Sequence, residues 1–492
     1  MLPRIALSLL LGATLLSAQA IPDRPEKLAF KPIVYSPPKA GDHRIKLPNG
    51  ISAYLVEDPT GQPLVNIRVL IKGGSYQDPP GKEGATHLMG EILDSGGTRN
   101  LTADALAEEL ETLAARVSST MDATSGYLQM NVLEKDTRKG MELFRDMLAH
   151  PAFQQDRLDL AKKQLRQGIE RRNDDTTTIE QYQRGYLLRG EAHYTNRPVT
   201  AASLDAIGRS DLLALHAKLL HPQNLIVAVS GRFERKAMAK LLGETLGAIK
   251  AGPEAAPSAK VPAPEHTIPP GIHVCEKDVN QGRVSILLPG LRRADPDWAA
   301  VEVLNFILGG DFTSRLVMKI RTEEGLAYNV GSRFSPGPFY RGDFVAAFQT
   351  KVRTVAYGTR LALAELERIR TSPVTDEELV MAKGALIDRF PGLFSNRAAV
   401  ASLFAHEEYS AGAPDYFSTY RERVAAVGKA DIQRVAQKYL AADKAAILVV
   451  GGKADDLEAG DVKDHPGRLS EVAKLPVVKL PLRDPLTMKP LK

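Results

Sequence analysis

His87 and Glu91 stand four residues apart in a stretch whose apolar residues recur at helical spacing, so both project from one helix face. An imidazole and a carboxylate are zinc-ligand types, but hydrolytic zinc needs three protein ligands and a bound water. The pair alone makes no metal site, and a solvated or hydrogen-bonded helix histidine is the favoured reading of His87. The ten histidines are otherwise scattered, with no two at i, i+4 on an expected helix. The chain has no G-x-S-x-G elbow, no P-loop, no G-x-G-x-x-G and no H-E-x-x-H. Gly309-Gly310 is a doublet after a helix and reads as a helix stop. The single cysteine, Cys275, excludes a disulfide framework and any Cys-rich metal site within the chain.

The elements around these residues alternate between strand and helix. Ile51 to Glu57, after the turn residues Pro48-Asn49-Gly50, and Val65 to Lys72 read as a hairpin. Ala85, Leu88, Met89, Ile92 and Leu93 mark the helix carrying His87; Leu106, Leu110 and Leu113 mark a second, and Leu158, Ala161, Leu165 and Ile169 a third. Thr375 with Glu378 three residues on is a capping box. Strand pairs mixed with helices predict an α+β unit, an antiparallel-rich sheet covered by helices on one face.

That unit occurs twice. Ala206-Ile-Gly-Arg-Ser-Asp211 returns as Ala426-Val-Gly-Lys-Ala-Asp431, and the same displacement pairs Lys218 with Lys438, Leu220 with Leu440 and Gly231 with Gly451. Ala161-Lys-Lys-Gln-Leu165 echoes Ala382-Lys-Gly-Ala-Leu386. Each copy runs into an apolar strand, Leu225 to Val229 and Ala446 to Val450. Between them, residues 251–270 hold six prolines and five alanines, a semi-rigid linker. The expected division is 1–20 signal peptide, 21–40 extension, 41–250 first domain, 251–270 linker, 271–455 second domain and 456–492 a Pro/Lys-rich tail, surface-hugging or disordered. Arg4, the apolar Ile5 to Leu16 and Ala18-Gln19-Ala20 have the form of a cleavable signal, too short to span a bilayer. Export follows, to the periplasm if the source is Gram-negative. No later segment reads as membrane-spanning, and a net charge of +5 over 492 residues gives no sign of a nucleic-acid partner.

Leu47-Pro-Asn-Gly50, Lys72-Gly-Gly-Ser75, Gly84-Ala-Thr-His87 and Gly97-Thr98 follow in an order that resembles the N-terminal domain of the M16 (insulinase/pitrilysin-like) metallopeptidases. Ile307-Leu-Gly-Gly310, Ser314-Arg-Leu316 and Arg321-Thr-Glu-Glu-Gly-Leu-Ala-Tyr328 resemble the C-terminal domain of that family. The resemblance runs from about residue 40 to 455 and implies tandem homologous domains of the M16/LuxS-metallohydrolase type. Active members carry His-x-x-Glu-His, two zinc ligands flanking a general base. Laid on this chain, the first histidine falls on His87, the base on Gly90, the second histidine on Glu91, and a third ligand on Gly168, or Gln167 with a one-residue slip. Neither can bind as a carboxylate, and Glu170 lies about 200° around the helix from Gly168. The zinc motif is therefore degenerate. With no base and an incomplete ligand set, neither metal nor hydrolysis is expected in this chain.

The family's substrate-binding arginine and tyrosine, seven residues apart, match Arg321 and Tyr328. Ser314 to Arg321 look helical, Gly325 breaks the direction and Ala327 onward looks like a strand, so the two can converge on one cleft. A guanidinium and a phenol suit a peptide carbonyl or a developing oxyanion. The competing reading has Arg321 complementing its helix dipole and Tyr328 half-buried in a strand. The resemblance implies a non-catalytic subunit that binds peptide or unfolded polypeptide and pairs with a zinc-bearing M16 subunit in a heterodimeric peptidase. Two alternatives stand beside it: a non-enzymatic peptide-binding or assembly protein, and an autonomous zinc enzyme using His87, Glu91 and an unrecognised third ligand.

Overall fold

The repeat in the sequence is a repeat of specific bonds. Asp211 accepts from the Gly208 amide at 2.9 Å, and Asp431 from the Gly428 amide at 3.0 Å, each closing the N-terminus of a helix. Lys162 donates to the Ile207 carbonyl at 2.8 Å and Lys383 to that of Val427 at 2.9 Å, tying an earlier helix to the loop before each cap. The computed structural model describes Arg24 and residues 35–491, apart from 411, 413–415 and 461–466. The expected signal segment, 1–20, lies outside the described residues, as does most of the 21–40 extension. The described residues from 37 onward form one compact unit; of residues 1–36 only Arg24, Tyr35 and Ser36 are described.

The first half contributes β1 (Arg44–Lys46), β2 (Ser52–Glu57), β3 (Leu64–Lys72), β4 (Arg116–Met121), β5 (Ser125–Leu133) and β6 (Leu225–Gly231) in the order β1-β2-β6-β3-β5-β4. The hairpin expected of β2 and β3 is not there. β6 lies between them, parallel to β2 and antiparallel to β3. Its residues Leu225 to Ser230 are all buried, so it takes a central position that local alternation cannot reveal. The Pro48-Asn49-Gly50 turn instead joins β1 to β2. The helices of this half that matter here are α1 (Ala85–Glu91), α2 (Gln155–Glu170), α3 (Thr176–Arg189) and α4 (Arg209–Leu219).

The second half repeats the plan with β7 (Gly271–Cys275), β8 (Gln281–Pro289), β9 (Val330–Ser335), β10 (Asp343–Lys351), β11 (Ala446–Val450) and β12 (Val477–Leu480), ordered β12-β7-β11-β8-β10-β9. Its helices include α5 (Trp298–Asn305), α6 (Asp376–Arg389), α7 (Arg397–Tyr409) and α8 (Lys429–Tyr439). The Thr375–Glu378 capping box is formed at the start of α6. Beyond β12 the chain returns to the first half: Gln183 donates to the Pro481 carbonyl at 2.8 Å and Arg172 to that of Pro485 at 3.0 Å.

Helices cover more than one face of each sheet, which corrects the one-sided expectation. α3 leaves the first half to pack on β8 and β11, and α7 leaves the second half to pack on β2, β3 and β6. Each crossing helix carries a glutamate bonded to the sheet it covers. Glu180, 1% exposed, accepts from Ser285 at 2.7 Å and pairs with Arg184 at 3.4 Å and Arg283 at 3.8 Å. Glu408 accepts from Ser52 at 2.6 Å and Tyr54 at 2.7 Å, with Arg44 at 3.1 Å. Burial pushes the Glu408 carboxyl up, but these hydrogen bonds hold it below the usual range. The linker, without regular structure, is pinned by Ser258, which donates to the Lys72 carbonyl at 2.7 Å.

Candidate functional site

The N-terminus of α1 is set by the buried Asp78, whose carboxylate accepts from the Gly84 and Thr86 amides at 3.0 Å each and from the Thr86 hydroxyl. Burial pushes the Asp78 carboxyl above the usual range in spite of these bonds. The helix then presents His87 and Glu91 outward, both exposed, while Gly90 faces inward and is buried.

At Gly90 the helix lies directly on β4. A Cβ placed there would stand 2.3 Å from the Met121 backbone nitrogen, and the Ser119 hydroxyl donates to the Gly90 carbonyl at 2.7 Å. No side chain fits this position without moving the strand. The second half uses the same contact: a Cβ on Gly309 would meet the Ser332 nitrogen at 2.4 Å, again between a helical segment and an edge strand. At Gly168, by contrast, the space is open, with nothing within 4 Å of a Cβ. Among the described residues no three His, Cys, Asp or Glu side chains are grouped to hold a metal. His87 and Glu91 by themselves fall short of the three protein ligands that a hydrolytic zinc takes.

Arg321 and Tyr328 do come together. After α5 the chain widens into π-helical turns at Phe306–Gly310 and Val317–Glu323, and Arg321 sits in the second. Such widened turns often mark functional sites, because they re-aim side chains. Gly325, at φ +61°, reverses the chain, and the Leu326 amide donates back to the Ile320 carbonyl at 2.9 Å. The Arg321 guanidinium lies 4.8 Å from the centre of the Tyr328 ring and 5.2 Å from that of Phe312. Tyr328 is 78% exposed and Phe312 73%. The alternative in which Tyr328 is half-buried in a strand is therefore overturned, since β9 begins only at Val330.

Below this trio the segment is anchored. Arg315, 8% exposed, forks onto Glu378 of α6 at 2.7 and 2.8 Å. The Arg315 fork and the Thr375 amide hold the Glu378 carboxyl low against the upward push of burial. Arg321, Tyr328 and Phe312 open onto a cavity of about 860 Å³ over the β8-β10-β9 surface. Sequence reasoning missed Phe312 and four further arginines of this cavity, Arg184, Arg283, Arg333 and Arg389. They come from positions 205 residues apart, and no local pattern groups them.

Residues 54–188 match the family model described as Insulinase (Peptidase family M16), and residues 206–386 match the one described as Peptidase M16 inactive domain. The chain belongs to the M16 peptidase family. A relative from Streptomyces coelicolor, named an uncharacterized zinc protease, is 24% identical over 80% of this chain and 85% of its own. One from Helicobacter pylori, named a non-peptidase homolog, is 26% identical over 67% of this chain and 75% of its own. In three dimensions the chain resembles a peptidase M16 inactive domain from Pseudomonas fluorescens, with a TM-score of 0.74, 23% identity and coverage of 83% and 98%. It also resembles the periplasmic protease PqqL from Escherichia coli, with a TM-score of 0.70 and 15% identity over 90% of this chain and 49% of PqqL. These likenesses establish the M16 fold in both halves. Among the described residues, no helix is long and apolar enough to cross a membrane.

Proposed function

We propose that this M16 chain is a non-catalytic subunit that binds peptide through Arg321 and Tyr328 and completes the active site of a zinc-bearing M16 partner. The zinc and the hydrolysis belong to the partner. This chain supplies a guanidinium and a phenol to the substrate backbone, and it binds peptide on its own as well. Export to the periplasm is part of the reading and rests on the N-terminal signal pattern from Arg4 to Ala20.

The observation that carries the proposal is the contrast between the halves. Where a base would act, Gly90 is pressed against Met121; where substrate would be held, Arg321 and Tyr328 are exposed over an open cavity. The test is purification of the native protein followed by metal analysis and peptide cleavage. The chain alone is expected to lack stoichiometric zinc and to cleave nothing, whereas a co-purifying M16 partner carries zinc and confers chelator-sensitive cleavage. Stoichiometric zinc and chelator-sensitive cleavage in the isolated chain would refute the assignment.

A further inference from the structure

The charge in the Arg321–Tyr328 cavity is one-sided. Arg184, Arg283, Arg321, Arg333 and Arg389 line it, and Asp311 is its one lining carboxylate. Asp311 is bonded to Arg389 at 2.8 Å. Beneath the surface Glu180 is shared between Arg184 and Arg283. Asp343, close enough to be influenced by Arg184 and Arg333, is bonded to Arg189 at 2.6 Å. Arg321 has aromatic rings beside it, and neither it nor the exposed Arg333 has an ion-pair partner among the described residues. With Arg189 counted, six guanidinium groups thus face the three carboxylates Asp311, Glu180 and Asp343, leaving a surplus of three positive charges around one recess.

The first half has the same bias. Its recess of about 770 Å³, beside α7, is lined by Arg68 and Arg116 and by no carboxylate. A recess with low-dielectric walls and uncompensated charge of one sign concentrates ligands of the other sign. The whole chain is only +5 over 492 residues, so the positive charge is local to these recesses and does not form the extended field that a phosphate backbone calls for.

From this arrangement we infer that the Arg321–Tyr328 cavity selects acidic peptide segments, with Arg333 and Arg283 meeting Asp or Glu side chains while Arg321 and Tyr328 hold the peptide itself. The inference rests on the reading that this cavity binds peptide, and adds the substrate class. Arginine forks match carboxylates bidentately, and the flanking Phe312 and Tyr328 rings give the peptide's apolar atoms a surface.

The experiment is fluorescence anisotropy with the full chain and labelled peptides of one length and acidic, neutral or basic sequence, beside an oligonucleotide of similar length. The acidic peptide is expected to bind on the order of tenfold tighter than the neutral one, with the difference shrinking as salt rises from about 50 to about 300 mM. Arg333→Glu, at an exposed position, should abolish that preference; Arg353→Glu, outside the cavity, should change neither the preference nor neutral-peptide binding. Peptide binding without acidic preference, or an acidic preference indifferent to Arg333→Glu, would overturn the inference while leaving peptide binding itself intact. Tighter binding of the oligonucleotide than of the acidic peptide would overturn it too. Failure of every peptide to bind would remove the underlying reading along with it.

Discussion

The Cβ that Gly90 lacks would stand 2.3 Å from the backbone nitrogen of Met121. Glycine at this position is therefore built into the packing of α1 on β4, and a substitution to glutamate does not fit without moving the strand. Gly90→Glu has to displace the edge strand and bury a carboxylate at once. It is expected to destabilise the chain by about 3 kcal/mol or more. Urea unfolding checks this, and parent-like stability in the variant would show that the strand yields. Gly168→Glu is the companion: its site is open and helical, so stability should rise by up to ~1 kcal/mol as the glycine's backbone freedom is removed.

Arg321→Ala and Tyr328→Phe, in a complex with a zinc-bearing partner, should each depress turnover by roughly 10²–10³-fold if they aim at the transition state. Because Tyr328 is exposed, removal of its hydroxyl should leave the melting temperature of the chain unchanged. Unaltered turnover for both variants in an intact complex would reduce this chain to a scaffold.

Glu180 tests the joint between the halves. It is buried in the interface and holds Ser285, Arg184 and Arg283. Glu180→Ala leaves two guanidinium groups without their acceptor, though both keep about a quarter of their side-chain surface in water. The expected cost is about 2–3 kcal/mol, below the ~3–5 of a fully buried pair. Unfolding by denaturant measures it, and a loss below about 0.5 kcal/mol would mean the solvent already satisfies both arginines.

What the sequence made legible was local or repeated. The Thr375–Glu378 cap and the convergence of Arg321 and Tyr328 follow from short-range geometry, and the repeated segments ending at Asp211 and Asp431 carry the duplication. The expected α+β plan with two copies is what the sheets show. The β2–β3 pairing failed because β6 enters from about 150 residues downstream, and strand order is set by burial across the whole sheet. The tight seat of Gly90 depends on where β4 lies against α1, and the arginine cavity on α3 crossing to the other sheet. Both are tertiary facts with no local signature.

Glu302, on α5, makes stability depend on pH. Its Oε2 is buried and makes no hydrogen bond, and burial pushes its carboxyl up to about 7. Arg293 and Arg423 pull the other way, but Arg293 is bonded to Glu407 at 2.5 Å and Arg423 to the Tyr416 carbonyl at 2.7 Å. The folded chain therefore keeps a proton that the unfolded chain releases near the ordinary value of 4.5. Below that pH both states are protonated and Glu302 has no effect on stability. As pH rises from 4.5 to about 7, the folded state loses its advantage, and above 7 the full cost, about 3 kcal/mol, is present. Glu302→Gln cannot ionise, so it should exceed the parent in stability by about 1–3 kcal/mol near pH 8 and draw level near pH 4. Denaturant unfolding at the two pH values reads the difference directly. A variant less stable than the parent near pH 8 would mean that the ionised Glu302 is held by its arginines after all.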